Sequence, residues 1–362
     1  MRFFEVLEIK NGKNQRQAEN PNGKYPIYGS GGVMGRADDY LCEAQTVVIG
    51  RKGSINNPIF VEEPFWNVDT AFGLVANKDL LIPKYLYYFC INFNFEALNT
   101  TVTIPSLTKA NLLQIEINIP RIAEQSKVVS KLDKISKLIE LRKQQLEELD
   151  QLVKSRFIEL FGNNDYPTEP LDNNVIEMFI GPFGSSLKNE VFVDEEDGFC
   201  MVYEQKHAIQ KTMDVPTRYV PQRKYEELKR FTILGGDIIV SCRGTIGEIF
   251  IVPDDAPMGI MHPSIMKIRL NTEKYNQKFF VFALEQYMVE HNAEAKGSGV
   301  KMAVSATVLG QSDFVVPPMK MQNRFATFVE QVDKSKFCIE KFVLSALLIS
   351  KITTKIYYNE VS

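Results

Sequence analysis

Residues 124–161 read EQSKVVSKLDKISKLIELRKQQLEELDQLVKSRFIELF, without a proline or a glycine, and the spacing predicts one continuous helix over Glu124–Phe161. Alternating steps of four and three pick out Val128, Leu132, Ile135, Ile139, Arg142, Leu146, Leu149, Val153 and Arg156, an almost wholly apolar coiled-coil seam. The residues between them are mostly Lys, Glu, Gln, Asp, Arg and Ser, so one narrow stripe wants a partner and the remainder wants water. At ~1.5 Å per residue the helix is roughly 57 Å long. A helix that long and that narrowly striped requires a second helix beside it.

The partner lies at the other end of the chain. From Gln322 to Tyr358 the same spacing returns at Phe325, Val329, Val332, Ile339, Val343 and Ala346, weakened by Lys336, Ser350 and Thr353 at seam positions. A constant offset of 197 lays Ile119-Pro120 on Val316-Pro317, Gln125 on Gln322, Leu132 on Val329 and Leu146 on Val343 without a gap. The chain is therefore an internal repeat. Its unit is a globular stretch, a strand, a proline, a glutamine and a long helix. The expected class is α+β with pseudo-two-fold repetition: a first domain over 1–120, a central long helix over 121–163, a second domain over 164–318 and a C-terminal long helix over 319–362.

With 362 residues, 44% hydrophobic and 24% charged, the chain has material for two domains with cores of their own. The opening MRFFEVLEIKNGK has no apolar core followed by a cleavage site, and no run of 18 apolar residues occurs, so a cytoplasmic protein without a membrane segment is expected. Five scattered cysteines, Cys42, Cys90, Cys200, Cys242 and Cys338, never form a Cys-x-x-Cys pair and read as small core hydrophobes. A net charge of −3 gives no global basic signature, so any nucleic-acid surface has to be local.

Local candidates lie in the loops. Tyr25 to Arg36 carries Tyr28-Gly29-Ser30-Gly31-Gly32, which suits a plain surface turn or a close approach of backbone to DNA at Ser30 and Gly31. The glycine spacing fits neither a P-loop nor a dinucleotide fingerprint. A β-branched strand, Thr46 to Ile49, ends in Gly50-Arg51-Lys52-Gly53-Ser54. Arg51, Lys52 and Ser54 there are solvated surface groups or DNA contacts, arginine being suited to guanine edges and lysine to phosphate. Trp66, the one tryptophan, reads as core. A strand over Ala71–Ala76, a helix from Pro83 through Phe89, a polar loop bearing Thr101, Thr103 and Lys109, and a last strand over Ile115–Pro120 follow.

The second half repeats this rhythm. Val175 to Gly181 leads into Gly181-Pro182-Phe183-Gly184-Ser185-Ser186-Leu187-Lys188, where Ser185, Ser186 and Lys188 are candidates. Gly235 to Gly247 is a turn, a buried strand and a loop bearing Arg243 and Thr245, in the place that Gly50 to Ser54 takes in the first half. After a helix from about Gln277 to His291, a loop Lys296-Gly297-Ser298-Gly299-Val300-Lys301 adds Lys296, Ser298 and Lys301.

Catalytic chemistry is hard to find. His207, His262 and His291 have no His or Cys partner at ligand spacing, so no metal site is expected. No Gly-x-Ser-x-Gly elbow and no amino-methyltransferase Asn/Asp-Pro-Pro-Tyr/Phe motif occurs, and Glu195-Glu196-Asp197 and Asp254-Asp255 read as solvated turns. The globular stretches differ in most residues while the helices keep one pattern. Two readers of different things on one frame would look like this.

In combination, Tyr28 to Gly32, Ile49 to Ser54, Gly181 to Leu187, Asp237 to Gly247 and the twice-used strand-proline-glutamine-helix resemble a specificity subunit of a type I restriction-modification system, over essentially the whole chain. The resemblance implies two α/β target recognition domains separated by two long helices packed as an antiparallel coiled coil. Each domain would read one half of a bipartite, asymmetric site in double-stranded DNA, and the helix pair would set the spacer. Two modification methyltransferase subunits would dock on the frame and restriction motor subunits would join them. S-adenosylmethionine, ATP and magnesium would belong to those partners, leaving this chain non-catalytic. With Lys336, Ser350 and Thr353 in its seam, the far end of the helix pair has no evident closure. The alternatives are a single-chain DNA methyltransferase or nuclease with a degenerate motif, and a coiled-coil scaffold that binds only protein.

Overall fold

The computed structural model describes residues 1–98, 106–162, 166–298 and 305–358, with backbone alone for residue 17 and for 291–298. Thr101, Thr103 and Lys301 lie outside the described residues, as do the side chains of Lys296 and Ser298. The chain divides into two compact units, residues 1–147 with 336–362, and residues 148–335.

In the first unit a short helix α1 (Phe3–Val6) leads into strands β1 (Leu7–Asn11), β2 (Tyr25–Gly29), β3 (Gly32–Ala37), β4 (Thr46–Gly50), β5 (Ile59–Val61), β6 (Trp66–Asn67) and β7 (Ala71–Ala76). They form a four-stranded antiparallel sheet, β1-β7-β4-β5, and a three-stranded sheet, β3-β2-β6, in which β2 and β6 are parallel. All five residues of β4 are buried, as expected of a β-branched run covered on both faces. One face of β4 sends Val47 and Ile49 against helix α2 (Pro83–Asn92) and the start of the long helix α4 (Ile122–Phe157), where Val128 and Leu132 sit. Val48, on the other face, packs with Ile27, Phe65 and Trp66.

The second unit is assembled in the same way. Its strands are β8 (Thr168–Pro170), β9 (Val175–Ile180), β10 (Cys200–Tyr203), β11 (Tyr219–Val220), β12 (Thr232–Ile233), β13 (Ile238–Ser241), β14 (Ile249–Ile251), β15 (Gly259–Met261), β16 (Ile265–Leu270) and β17 (Asp313–Val315). The order β9-β16-β13-β14 repeats β1-β7-β4-β5, and β11-β10-β15 repeats β3-β2-β6 with β10 parallel to β15, extended here by β12. Helix α7 (Gln277–Ser298) covers the first sheet with Phe279, Phe280 and Leu284, joined by Phe161 and by Phe325 of the long helix α9 (Met319–Tyr358). Helices α3 (Lys109–Leu113) in the first unit, and α5 (Gln205–Gln210), α6 (Gln222–Leu228) and α8 (Ala306–Gln311) in the second, complete the set.

Within each unit, segments of α4 and α9 run antiparallel. In the first, Asn118, just ahead of α4, donates to the Tyr357 carbonyl at the end of α9 (3.2 Å), while farther along α4 the Arg142 guanidinium lies 5.2 Å from the Phe342 ring. In the second, Phe157 packs on Phe325 at 5.4 Å and Val153 shares a core with Val332. Every seam residue read from the sequence is buried or half-buried, with Val128, Leu132, Val153, Phe325, Val332, Ile339 and Ala346 the most deeply placed. The first-unit end of α9, which lacked seam residues, is closed by Tyr358. Its hydroxyl donates to the Tyr85 carbonyl (2.8 Å) and its ring packs 4.6 Å from that of Tyr85. Buried Thr354 returns its hydroxyl proton to the helix's own carbonyls.

Both long helices are pinned by one device. The Gln125 amide accepts from Ile82 N–H (2.8 Å) and donates to the carbonyls of Leu80 and Pro120 (2.8 Å each). Gln322 accepts from Asn276 N–H (2.8 Å) and donates to Lys274 (2.9 Å) and Pro317 (2.7 Å). Each amide satisfies the backbone just ahead of α2 or α7 that a buried helix start would otherwise leave without partners.

Four expectations change. Ile115–Pro120 is extended but makes only an isolated bridge, Arg2 to Glu116, whereas its counterpart β17 pairs with β8. The central helix is α-helical to Phe157 and closes in a π turn, Ile158–Gly162, that carries Leu160 and Phe161 into the core. Lys296-Gly297-Ser298 are the last residues of α7 rather than a loop. Cys338 is exposed on α9, while the other four cysteines are free and buried.

Candidate nucleic-acid interface

In the first unit the loops that carry candidates meet at one end of the sheets. Arg51 N–H donates to the Thr70 carbonyl (2.8 Å) and its own carbonyl accepts from Leu107 (2.9 Å), so the backbone is held on both sides while the side chain stays exposed, 5.7 Å from the Phe72 ring. Lys52 bridges to Ser106 and is also exposed. Gly53 turns the chain with φ +77°, a conformation that a side chain strains. Gly50 packs against the Ser54 carbonyl and the Ser30 side chain, so a Cβ there would collide with both. Ser30, Arg51, Lys52 and Ser54 are therefore brought together, with Gly31 exposed beside them. Lys109 begins α3, and its ammonium donates to the Ile9 carbonyl (2.7 Å).

The second unit builds the same end from different side chains. Ser241 Oγ accepts from Glu248 N–H (2.9 Å) and donates to the Thr245 carbonyl (2.6 Å), folding Arg243, Gly244 and Thr245 into a tight turn with φ +68° at Gly244 and +87° at Gly247. Arg243 and Thr245 are exposed. A Cβ on Gly244 would meet the Gln205 amide at 3.6 Å. Gly181 donates to the Ile265 carbonyl (3.0 Å) and Cys242 to the Ser264 carbonyl (2.8 Å), so the Ser185–Lys188 and Arg243–Thr245 turns spring from two sides of the segment His262–Ile265.

Pairing registers align the two ends residue by residue. Arg51 donates to Thr70 as Cys242 donates to Ser264, so Arg243 stands in the position of Lys52 and the place of Arg51 is taken by a buried cysteine. Ile27 faces Trp66 as Val202 faces Ile260, which makes Gln205 and Lys206 the counterparts of Ser30 and Gly31. Gly12 packs on the Val68 carbonyl as Gly181 packs on that of His262, which sets Asn14 opposite Phe183.

Sequence reading missed Gln205, Lys206, Arg218 and His262, since no glycine-rich loop marks them. Arg218 pairs with Glu204, which also holds Lys206 at 2.7 Å. Burial alone would raise the Glu204 carboxyl, but the hydrogen bonds and charges of Arg218 and Lys206 outweigh it and hold it below the usual range. His262 is pushed down by burial, Arg218, Arg243 and Lys206 acting in the same direction and Glu204 against them. Its Nδ1 accepts from Ser264 N–H (3.2 Å), leaving Nε2 to carry the proton of the neutral ring. Deeper in the unit, Lys267 bonds Glu177 (2.6 Å) and Arg269 forks onto Asp237 (2.7 and 2.8 Å). Among the described residues, no group of three or more His, Cys, Asp or Glu is arranged to hold a metal, and no helix is long and apolar enough to cross a membrane.

This doubled architecture has relatives. The chain matches the family model described as the type I restriction modification DNA specificity domain over residues 1–151 and 205–348. It is 24% identical over 344 residues to a putative type I restriction enzyme specificity subunit of Haemophilus influenzae, covering 91% of this chain and 86% of that one. Among solved structures, it shares its fold with the S subunit of a type I restriction-modification system from M. genitalium (TM-score 0.57, 17% identity, 100% and 96% covered). It also shares it with a chain from work on complex assembly and conformational transition of the type I R-M system (TM-score 0.60, 14% identity, 99% and 96% covered). With two sheet units of one topology, two pinned long helices and a family model covering most of its length, the chain belongs to the type I restriction-modification DNA specificity family.

Proposed function

We propose that this chain is the DNA-reading, non-catalytic subunit of a type I restriction-modification enzyme, each unit reading one half of a bipartite, asymmetric duplex site. The observation that carries this is the loop-bearing end made twice on one topology with different side chains, Ser30, Arg51 and Lys52 against Gln205, Cys242 and Arg243. A shared scaffold with exchanged contact residues is what reading two unlike half-sequences requires. Two modification methyltransferase subunits dock on the long helices and restriction motor subunits join them. An exposed apolar row on α9, with Leu344, Leu348, Ile352 and Ile356, supports such docking. S-adenosylmethionine, ATP and magnesium act in those partners, and the assembly works in the cytoplasm. The test is to map methylated adenines across the genome with and without this chain. A two-part motif that disappears with the chain is expected, and an unchanged methylation pattern would overturn the reading.

A further inference from the structure

The turn at Gly181–Lys188 holds out a side chain that the reading above leaves unused. Phe183 is 88% exposed, more than any other large hydrophobic among the described residues. A lone exposed apolar residue needs no explanation by itself; how and where this one is held does. Gly181 is bonded to the Ile265 carbonyl and pressed on that of His262, Pro182 and Leu187 are buried, and Ser186 N–H closes on the Phe183 carbonyl at 2.8 Å. The ring therefore stands on a support fixed at both feet.

That support rises from the end of the unit where positive charge gathers. Ser185, Ser186 and Lys188 follow in the same turn, with Glu190 just beyond; across the segment His262–Ile265 stands the Arg243 turn, whose Gly244 lies against Gln205, and next to Gln205, Lys206 and Arg218 share the Glu204 carboxylate. Of the acids in Glu195–Asp197, Glu195 bonds the Tyr219 side chain on β11. An apolar ring projecting from cations and hydroxyls fits a nucleic-acid duplex, whose charged backbone flanks a stack of flat apolar faces. In the first unit the equivalent residue is Asn14, whose side chain is spent on Arg16 N–H, so the device belongs to the second unit alone.

We propose that Phe183 is a wedge that enters the base stack of the second half-site and opens one step. The proposal rests on the DNA-reading function argued above. A side chain that unstacks a step pays least at flexible pyrimidine–purine steps, so Phe183 adds a preference for TA or CA/TG without contacting a base edge.

The test uses the complex with its methyltransferase subunits and cognate duplexes carrying 2-aminopurine at successive positions. The wild type should show a fluorescence rise at one step of the second half-site, apart from any at the methylated adenine. Phe183→Ala should abolish that rise, weaken binding roughly ten-fold or more and flatten the step preference, and Phe183→Trp should restore all three. Unchanged affinity and fluorescence in Phe183→Ala would overturn the wedge while leaving DNA reading intact. Loss of methyltransferase assembly with no change in DNA contact would also overturn it, reassigning the ring to a protein interface. A wild-type complex without sequence preference would overturn both.

Discussion

Arg51 and Arg243 look interchangeable in the sequence, each the arginine of a glycine-bearing loop after a buried strand, but the hydrogen-bond register sets them one residue apart. Arg51 has a fixed backbone and a side chain free to reach a base edge, whereas Arg243 stands where Lys52 stands. Arg51→Ala should therefore cost ~1–3 kcal/mol and relax selection at one position of one half-site, while Lys52→Ala weakens all sequences alike and lowers the salt slope by about one. Selection profiles on randomised duplexes at two salt concentrations separate these outcomes. The loop motifs were legible because turns need glycine. Gln205 and His262 were not, because parallel pairing of β10 with β15, a long-range fact, brings them to the same end. Acidification tests the buried groups of the second unit. His207 and His262 are lowered by burial from their ordinary 6.5, so the stability linked to them is present above pH 6.5 and is lost as pH falls through the folded values. Glu177, held down chiefly by the Lys267 hydrogen bond, and Glu204 contribute stability that is present above 4.5 and is lost as pH falls through their folded values. All three histidines lie in residues 148–335, and Trp66, the one tryptophan, lies in the first unit. Between pH 7.5 and 5.5, unfolding followed by circular dichroism should move to lower denaturant while the Trp66 fluorescence transition moves less.

At the scale of elements, the long helices were readable from seam spacing and their starts from the repeated proline and glutamine, since both signals are local. Their closure was not. Tyr358 looks like the frayed end of a weak helix until the fold brings it to Tyr85, 273 residues away in sequence. Removing that ring should cost the first unit about 3–5 kcal/mol, as other large core truncations do, and Tyr358→Ala should bring the Trp66 transition to clearly lower urea. Each glutamine pin makes its own prediction. Gln125→Ala strands the Ile82 N–H and two carbonyls, at ~1–3 kcal/mol for each group left without a partner, and Gln322→Ala does the same beside α7. Equal destabilisation by Gln→Glu would show that the amide's donor half matters, since Glu keeps only the acceptor. Differential scanning calorimetry of the four variants is sufficient. The Ile115–Pro120 stretch was misread because its apolar alternation is that of a strand, while its edge finds only one bridging partner.

At the scale of the whole molecule, the repeat was legible because four features recur at one offset, and the sheet topology was not, because strand order depends on pairings far apart in the chain. Under the proposed function, the two units read two half-sequences and the long helices set the spacer between them. One heptad inserted between Glu147 and Glu148 of α4, matched by one between Ser335 and Lys336 of α9, keeps both seams in phase and lengthens the pair by ~10.5 Å. That length is about three base pairs at ~3.4 Å each, with roughly 100° of duplex turn at ~10.5 base pairs per turn. The decisive measurement is methylation of a plasmid library in which the two half-sequences are constant and only the spacer varies. The double insertion should abandon the parental spacer and shift towards a longer one, with both half-sequences unchanged. Continued preference for the parental spacer by a complex that still assembles would contradict the account.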